Sequence, residues 1–277
     1  MRQIVQAPSL RRAANGLVEV GNRIDVGDDK WEDGVTFTPL GKQVIFGHAP
    51  GCPSENKSPF ADCPPVVVAS TYLLEMGLAW SLVDMGAGPK EIMTEAFEIG
   101  TSPVLERLAW EGIADVAPGT PLTLPALSGT QATGAIAGRI MAGATAPPTL
   151  TGQALSVGTA TGNVAKGIGM IEAKLLDASD HIGGGGTIFM SPVIAAQGGA
   201  GGAIDLDKMI TRATESKIVV GNFDADLVIG VLGDVDVYLG ETFVLEAQER
   251  STNEWVGRAE RRAVAVWNPV VFSVTIA

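Results

Sequence analysis

His48 and His181 are the only imidazoles in this sequence, and Cys52 and Cys63 are its only thiols. Ser–His or Cys–His nucleophilic chemistry would have to recruit one of those histidines, and neither sits in a nucleophile elbow or beside a capped nucleophile. Zinc chemistry fits no better, because there is no C-x-x-C pair and the only other histidine is far away in sequence. Both histidines read as loop residues. Cys52 and Cys63 lie among Pro50, Gly51, Pro53, Pro59, Pro64 and Pro65. They either close that loop as a disulfide or stay as two thiols in a reducing compartment, and spacing does not choose between these.

Nucleotide chemistry also fails on its residues. Gly162 and Gly167 have P-loop spacing, but Ile168 follows where Lys-Ser/Thr is needed to reach the phosphates and the metal. Gly183–Gly186 does not open a helix in the G-x-G-x-x-G manner. The carboxylate pairs Asp234/Asp236 and Glu246/Glu249 have the right chemistry for acid–base work, but the first pair alternates along an extended stretch, and surface charge accounts for it. No residue requires an active site, so no catalytic residue, cofactor or metal is assigned.

The elements around these residues carry more information. Lys and Arg total 19 against 31 Asp and Glu, a net charge of −12, which argues against a nucleic-acid reader that works by neutralising phosphates. Hydrophobic residues make up 46% and charged residues 18%, so the chain folds. The start, Met1-Arg2-Gln3-Ile4-Val5, runs into polar residues and not into an apolar signal region, so folding in the cytoplasm is expected. Val116–Gly138 and Ile140–Ala165 are uncharged, but Pro118, Pro121, Pro125, Pro147 and Pro148 break them up, and they read as loops and short strands without a membrane role.

Residues 1–30 show no sustained period and have little to fold on alone, so a neighbouring subunit is their natural support. From Trp31 to about Tyr72 come β signals at Val35–Thr38, Gln43–Phe46 and Val66–Val68, with some nineteen residues from Gly47 to Pro65 that reach outward. The best helical signal lies between Leu74 and Trp110. Pro89 suits its first turn, Gly112 its stop, and Thr101 or Ser102 with Pro103 predicts a second, capped piece after a kink. A helix follows over Gly162–Ser179, then a strand at Thr187–Met190, a helix opened by Ser191-Pro192 through Ala196, a glycine loop at Gly198–Gly202, and a strand at Lys217–Val220. The tail predicts strands at Leu227–Ile229, Val235–Tyr238, Phe243–Leu245, Ala263–Trp267 and Val270–Ile276. The charged knot Glu249, Arg250, Glu254, Arg258, Glu260, Arg261, Arg262 is expected between strands, either as a solvated face or as an intersubunit ion-pair network. Together these predict an α+β chain.

Four stretches occur in an order that resembles tailed-bacteriophage major capsid proteins. Trp31-Glu32-Asp33-Gly34-Val35 begins an extended excursion, and Leu105-Glu106-Arg107-Leu108-Ala109-Trp110-Glu111-Gly112 closes a long helix in the manner of capsid proteins from phages of actinobacteria. The middle, from Gly185 to Pro192 and then Lys217–Gly221, is similar to that family's axial domain. Ala259–Pro269 looks like the ending of the Hong Kong 97 phage capsid protein.

The resemblance implies a Hong Kong 97-like capsid fold. Its parts would be an N-terminal arm (1–30), a long β-hairpin loop (31–75), a peripheral domain with the spine helix (76–125), an axial domain (126–234), peripheral strands (235–262) and a C-terminal strand of the axial domain (263–277). It implies self-assembly into pentamers and hexamers of an icosahedral shell around double-stranded DNA held without sequence-specific binding. Portal and scaffolding proteins, and in some cases a decoration protein, would be partners; assembly would occur in the host cytoplasm and the product would be the virion capsid.

Residues implied at subunit interfaces are Arg11, Arg12, Trp31, Lys42, Glu106, Arg107, Trp110, Arg258, Arg261 and Arg262. Some relatives link a loop lysine to a neighbour's asparagine; Lys42 or Lys57 and Asn253 are the residues available, though they do not align cleanly and no carboxylate stands out as the base. Two other readings stay open. An encapsulin-like shell shares the fold but is expected to start with a helix in place of an arm, and an acidic α+β enzyme would need titratable groups converging in a pocket.

Overall fold

The computed structural model describes residues 14–27, 35–37, 67–69, 71–81, 89–112, 136–140, 147–179, 185–249 and 254–277. Among these, the first part of the chain forms α1 (Leu17–Val20), β1 (Asn22–Asp25), β2 (Val35–Phe37), β3 (Val67–Ala69), β4 (Tyr72–Ser81), α2 (Pro89–Glu111) and β5 (Ile136–Ile140). The middle forms α3 (Leu150–Gln153), β6 (Leu155–Ala160), α4 (Val164–Ala178), β7 (Gly186–Met190), α5 (Pro192–Ala200), β8 (Ile204–Asp205), β9 (Ile210–Thr211) and β10 (Lys217–Val220). The last part is β11 (Leu227–Leu232), β12 (Asp236–Leu239), β13 (Phe243–Glu249), β14 (Glu254–Val266) and β15 (Val271–Ile276).

A seven-stranded mixed sheet has the order β6-β15-β11-β7-β10-β9-β8. Its central strands are apolar almost throughout because both faces are covered. Ile188, Met190, Ile218, Val228 and Val274 turn toward α4 and α5, where they meet Ile168, Ile171, Leu175 and Ile194. The alternate residues Phe189, Val219, Ile229 and Val231 join a second core with Met93, Phe97, Leu105, Leu108 and Trp110 of α2. The caps are local: Asn163 accepts from the Lys166 amide at 3.0 Å to start α4, and Ser191 precedes Pro192 at the start of α5.

The other large sheet has the order β1-β12-β14-β4-β5, and β13 also pairs with β14. Tyr72, Leu74 and Met76 of β4 share the inner face with Ala259 and Ala263 of β14, and this face packs against α2. β2 and β3 pair antiparallel, with Val35 opposite Ala69, so the two ends of the long excursion come together. The expected strand at Gln43–Phe46 lies outside the described residues.

Several expectations change. Tyr72–Ser81 is a strand and not the start of a helix; burial of Tyr72, Leu74 and Met76 follows a period of two, and α2 begins only at Pro89. Helix α2 runs unbroken through Pro103. Thr101 is no cap: its hydroxyl donates back to the Phe97 carbonyl at 2.8 Å. Gly198 and Gly199 belong to α5 and not to a loop, because Ile204 and Leu206 pack where their side chains would be. The charged knot lies largely within β14, where alternate residues face opposite sides of the sheet.

Gly230 of β11 faces α4, and a Cβ there would collide with Ile171 Cγ2. Gly230→Ala is therefore expected to cost about 1–3 kcal/mol by overpacking, read as a lower denaturant midpoint with an unchanged slope; a midpoint equal to wild type would contradict this packing.

Candidate functional site

α1 is a single turn, and the residue before it, Gly16, has no side chain to cap it. Its exposed amides are taken up by α2, far away in sequence. The Leu17 amide donates to Glu106 Oε1 at 2.9 Å, and the Val18 amide donates to Ser102 Oγ at 3.2 Å. The Ser102 hydroxyl in turn lies 3.0 Å from Glu106 Oε1 and 3.1 Å from Glu19 Oε2. Ser102 and Glu106 are one turn apart on α2, so a carboxylate and a hydroxyl meet the positive end of α1 together. A Cβ at position 16 would lie 2.6 Å from Ser102 Oγ and 2.7 Å from Glu106 Oε1, so a side chain there would displace the two groups that cap α1.

This contact fastens a segment that touches both sheets. Before α1, the Val220 amide of β10 donates to the Asn15 carbonyl at 2.8 Å. After α1, the Asn22 amide donates to the Val235 carbonyl at 2.9 Å, and β1 runs parallel to β12 with Asn22 opposite Asp236. Leu17 is fully buried. The expectation that residues 1–30 lack local support thus fails for residues 15–26, which are part of the body. Burial raises the pKa of Glu106, and repulsion by Glu19 adds to the rise; the Leu17 amide and the Ser102 hydroxyl pull the other way.

The residues implied at interfaces fall into distinct places. Trp110 is buried within its own protomer: its ring lies 4.6 Å from that of Phe223, its indole N–H donates to Asp224 Oδ2 at 3.3 Å, and its carbonyl accepts from Thr151 at 2.7 Å. Glu106 is likewise buried and bonded within the chain. Arg261 is buried on the inner face of β14 and bonds Glu98 of α2, which also accepts from Thr242 at 3.0 Å. Arg258 lies on the outer face, held between Glu75 and Glu260. Its position relieves the direct opposition of Glu75 and Glu260 across the β4–β14 register. Arg107 is half-buried and pairs with Glu111 one turn on, and Arg262 is half-buried on the outer face. Arg11, Arg12, Trp31 and Lys42 lie outside the described residues, as do His48, His181, Cys52, Cys63, Lys57 and Asn253.

The other chemical candidates are not brought together. Asp234 pairs with Lys217 at 2.9 Å, and Asp236 accepts from Asn22 at 3.1 Å, so that carboxylate pair has separate partners. The glycines at 162–167 border a cleft of about 500 Å³, lined by Asn163, Val164, Val193, Gln197 and Ile276 among others, with no ionisable side chain. Glu172 is a second buried carboxylate that sequence reading missed. It accepts from Thr214 at 2.6 Å, and Thr214 also lies 2.7 Å from Ser216, so the group ties the turn before β10 to α4. Among the described residues no cluster of three or more His, Cys, Asp or Glu is placed to hold a metal, and no helix is long and apolar enough to cross a membrane.

No family model and no curated protein matches the chain. Solved structures do match, over its whole length. A structure from Mycobacterium phage Cain aligns with a TM-score of 0.57 at 11% identity, covering 100% of this chain and 95% of that one. One from Mycobacterium phage Adephagia aligns at 0.56 and 10% identity, with 100% and 95% covered. The capsid of an empty GTA particle, computed with C5 symmetry, aligns at 0.55 and 11% identity, again with 100% and 95% covered. The chain has the Hong Kong 97-like capsid fold.

Glu106→Ala removes the acceptor for a buried amide and is expected to cost about 1–3 kcal/mol, measured by thermal or denaturant unfolding. Glu106→Gln keeps an acceptor but cannot titrate. Because its folded pKa is raised, Glu106 favours the folded state most below the ordinary carboxylate pKa, and that contribution fades as pH rises through the folded value. The stability of wild type relative to Glu106→Gln should therefore fall with rising pH in that window; a flat or rising difference would contradict the assignment.

Proposed function

We propose that this chain, an end-to-end version of a fold found in the capsid of a GTA particle, is the major capsid protein of a tailed phage. In this reading it assembles into pentamers and hexamers of an icosahedral shell that encloses double-stranded DNA. The observation that carries the proposal is mutual coverage: 100% of this chain aligns with 95% of a capsid subunit. Function is then assembly, without a catalytic step.

The physical features agree with a container. The net charge of −12 suits a wall that encloses DNA without gripping its phosphates. The sheet with α2 would form the peripheral part and the seven-stranded sheet the axial part. β5 joins the peripheral sheet and residues 263–266 complete β14, so we move those stretches to the peripheral part from where sequence reading put them. Portal and scaffolding proteins are the expected partners at assembly in the host cytoplasm, with a decoration protein on the finished virion as a further one.

Sedimentation and electron microscopy of the protein isolated from phage particles test this reading. Closed icosahedral shells that contain DNA are the expected result. A compact monomer or small oligomer under conditions that preserve assemblies, or shells filled with protein cargo in place of DNA, would overturn it.

A further inference from the structure

Seven asparagines occur in the sequence, and Asn15 is the one followed by glycine. That pair carries latent chemistry. A backbone nitrogen that has lost its proton attacks the carboxamide carbon of a preceding asparagine, and glycine has no Cβ to obstruct the approach. Among the described residues, neither the Asn15 carboxamide nor the Gly16 amide makes a hydrogen bond, so neither reacting group is engaged elsewhere.

The backbone around them holds the pair unreacted. The Asn15 carbonyl accepts from the Val220 amide at 2.8 Å, and the Gly16 carbonyl accepts from the Glu19 and Val20 amides at 3.2 and 3.0 Å. The Leu17 amide is held by Glu106 Oε1 at 2.9 Å. Ring closure has to turn the peptide plane between Asn15 and Gly16, and these bonds anchor that plane. Gly16 is also buried, so water reaches its N–H only when the segment lifts off the body. A Cβ at position 16 would meet Ser102 and Glu106, so the capture that shields the pair also favours the glycine that makes it reactive.

We propose that Asn15 is a deamidation site that the capture of α1 keeps closed. When α1 opens, the Gly16 N–H gives its proton to water or hydroxide, a bond forms from the Gly16 nitrogen to Asn15 Cγ, and the Cγ–Nδ2 bond breaks to release ammonia. Water then opens the succinimide at either carbonyl and leaves aspartate or isoaspartate at position 15. Isoaspartate routes the main chain through Cβ and Cγ, which lengthens it, and puts a carboxylate where a carbonyl met Val220. The new charge sits on the segment that brings Glu19 toward Glu106, so recapture is opposed and the opening becomes permanent.

Peptide mapping by mass spectrometry of the full-length protein, incubated at mildly alkaline pH, tests this. Asn15 should convert to the acid quickly in the urea-unfolded chain and slowly in the native one, and at least about fivefold faster in native Glu106→Ala than in wild type. Wild type in urea below its unfolding midpoint carries the same test without a substitution: conversion should quicken while the Val237 amide of β12 stays protected from exchange. In the modified fraction the Leu17 and Val18 amides should exchange as in an open loop. Equal rates in native and unfolded wild type, an unchanged rate in Glu106→Ala, or an unfolded chain that keeps Asn15 intact would each overturn the proposal.

Discussion

One buried carboxylate sets how the start of the chain meets its body. A single helical turn without a cap of its own is not stable by itself, since its first amides have no partner and nucleation is unfavourable. Glu106 and Ser102 supply that cap from α2, and the segment can then bond to β10 before the turn and to β12 after it. Residues 15–26 therefore join the two sheets as well as covering Leu17. The burial that makes Glu106 a strong acceptor for these amides also makes its charge costly, a compromise common to carboxylates that hold backbone amides in a protein interior.

The two sheets solve different problems. The seven-stranded sheet is covered on both faces and carries the apolar strands. The other sheet is covered on its inner face by α2, while its outer face keeps Glu75, Arg258 and Glu260 in a small alternating network with Phe243 and Leu245 alongside.

Much of this was legible where the signal is local. Pro89 and Gly112 bracket α2, and Gly112 does adopt a positive φ of 73°. Ser191-Pro192 opens α5, and Thr187–Met190 and Lys217–Val220 form neighbouring parallel strands. The failures came where distant groups decide. Leu74–Ser81 merged into a helical reading because its period of two is short and the adjoining stretch is rich in helix formers. Pro103 read as a break because the back-bonding of Thr101 leaves no sequence mark. For Trp110 and Glu106 the sequence carries no mark of their partners within the chain, Phe223 and Leu17, which come from distant parts of it. An uncapped Gly16 before a short apolar turn was the one hint that a cap had to come from elsewhere.

The most direct test of this account is amide hydrogen exchange at Leu17 and Val18 in the monomeric chain. Capture by Glu106 and Ser102 requires both amides to exchange as slowly as the core amide of Val237 in β12, and to lose that protection in Glu106→Ala. Exchange at the rate of an open loop in the wild-type chain would contradict the account, because the first segment would then be an appendage and not the tie between the sheets.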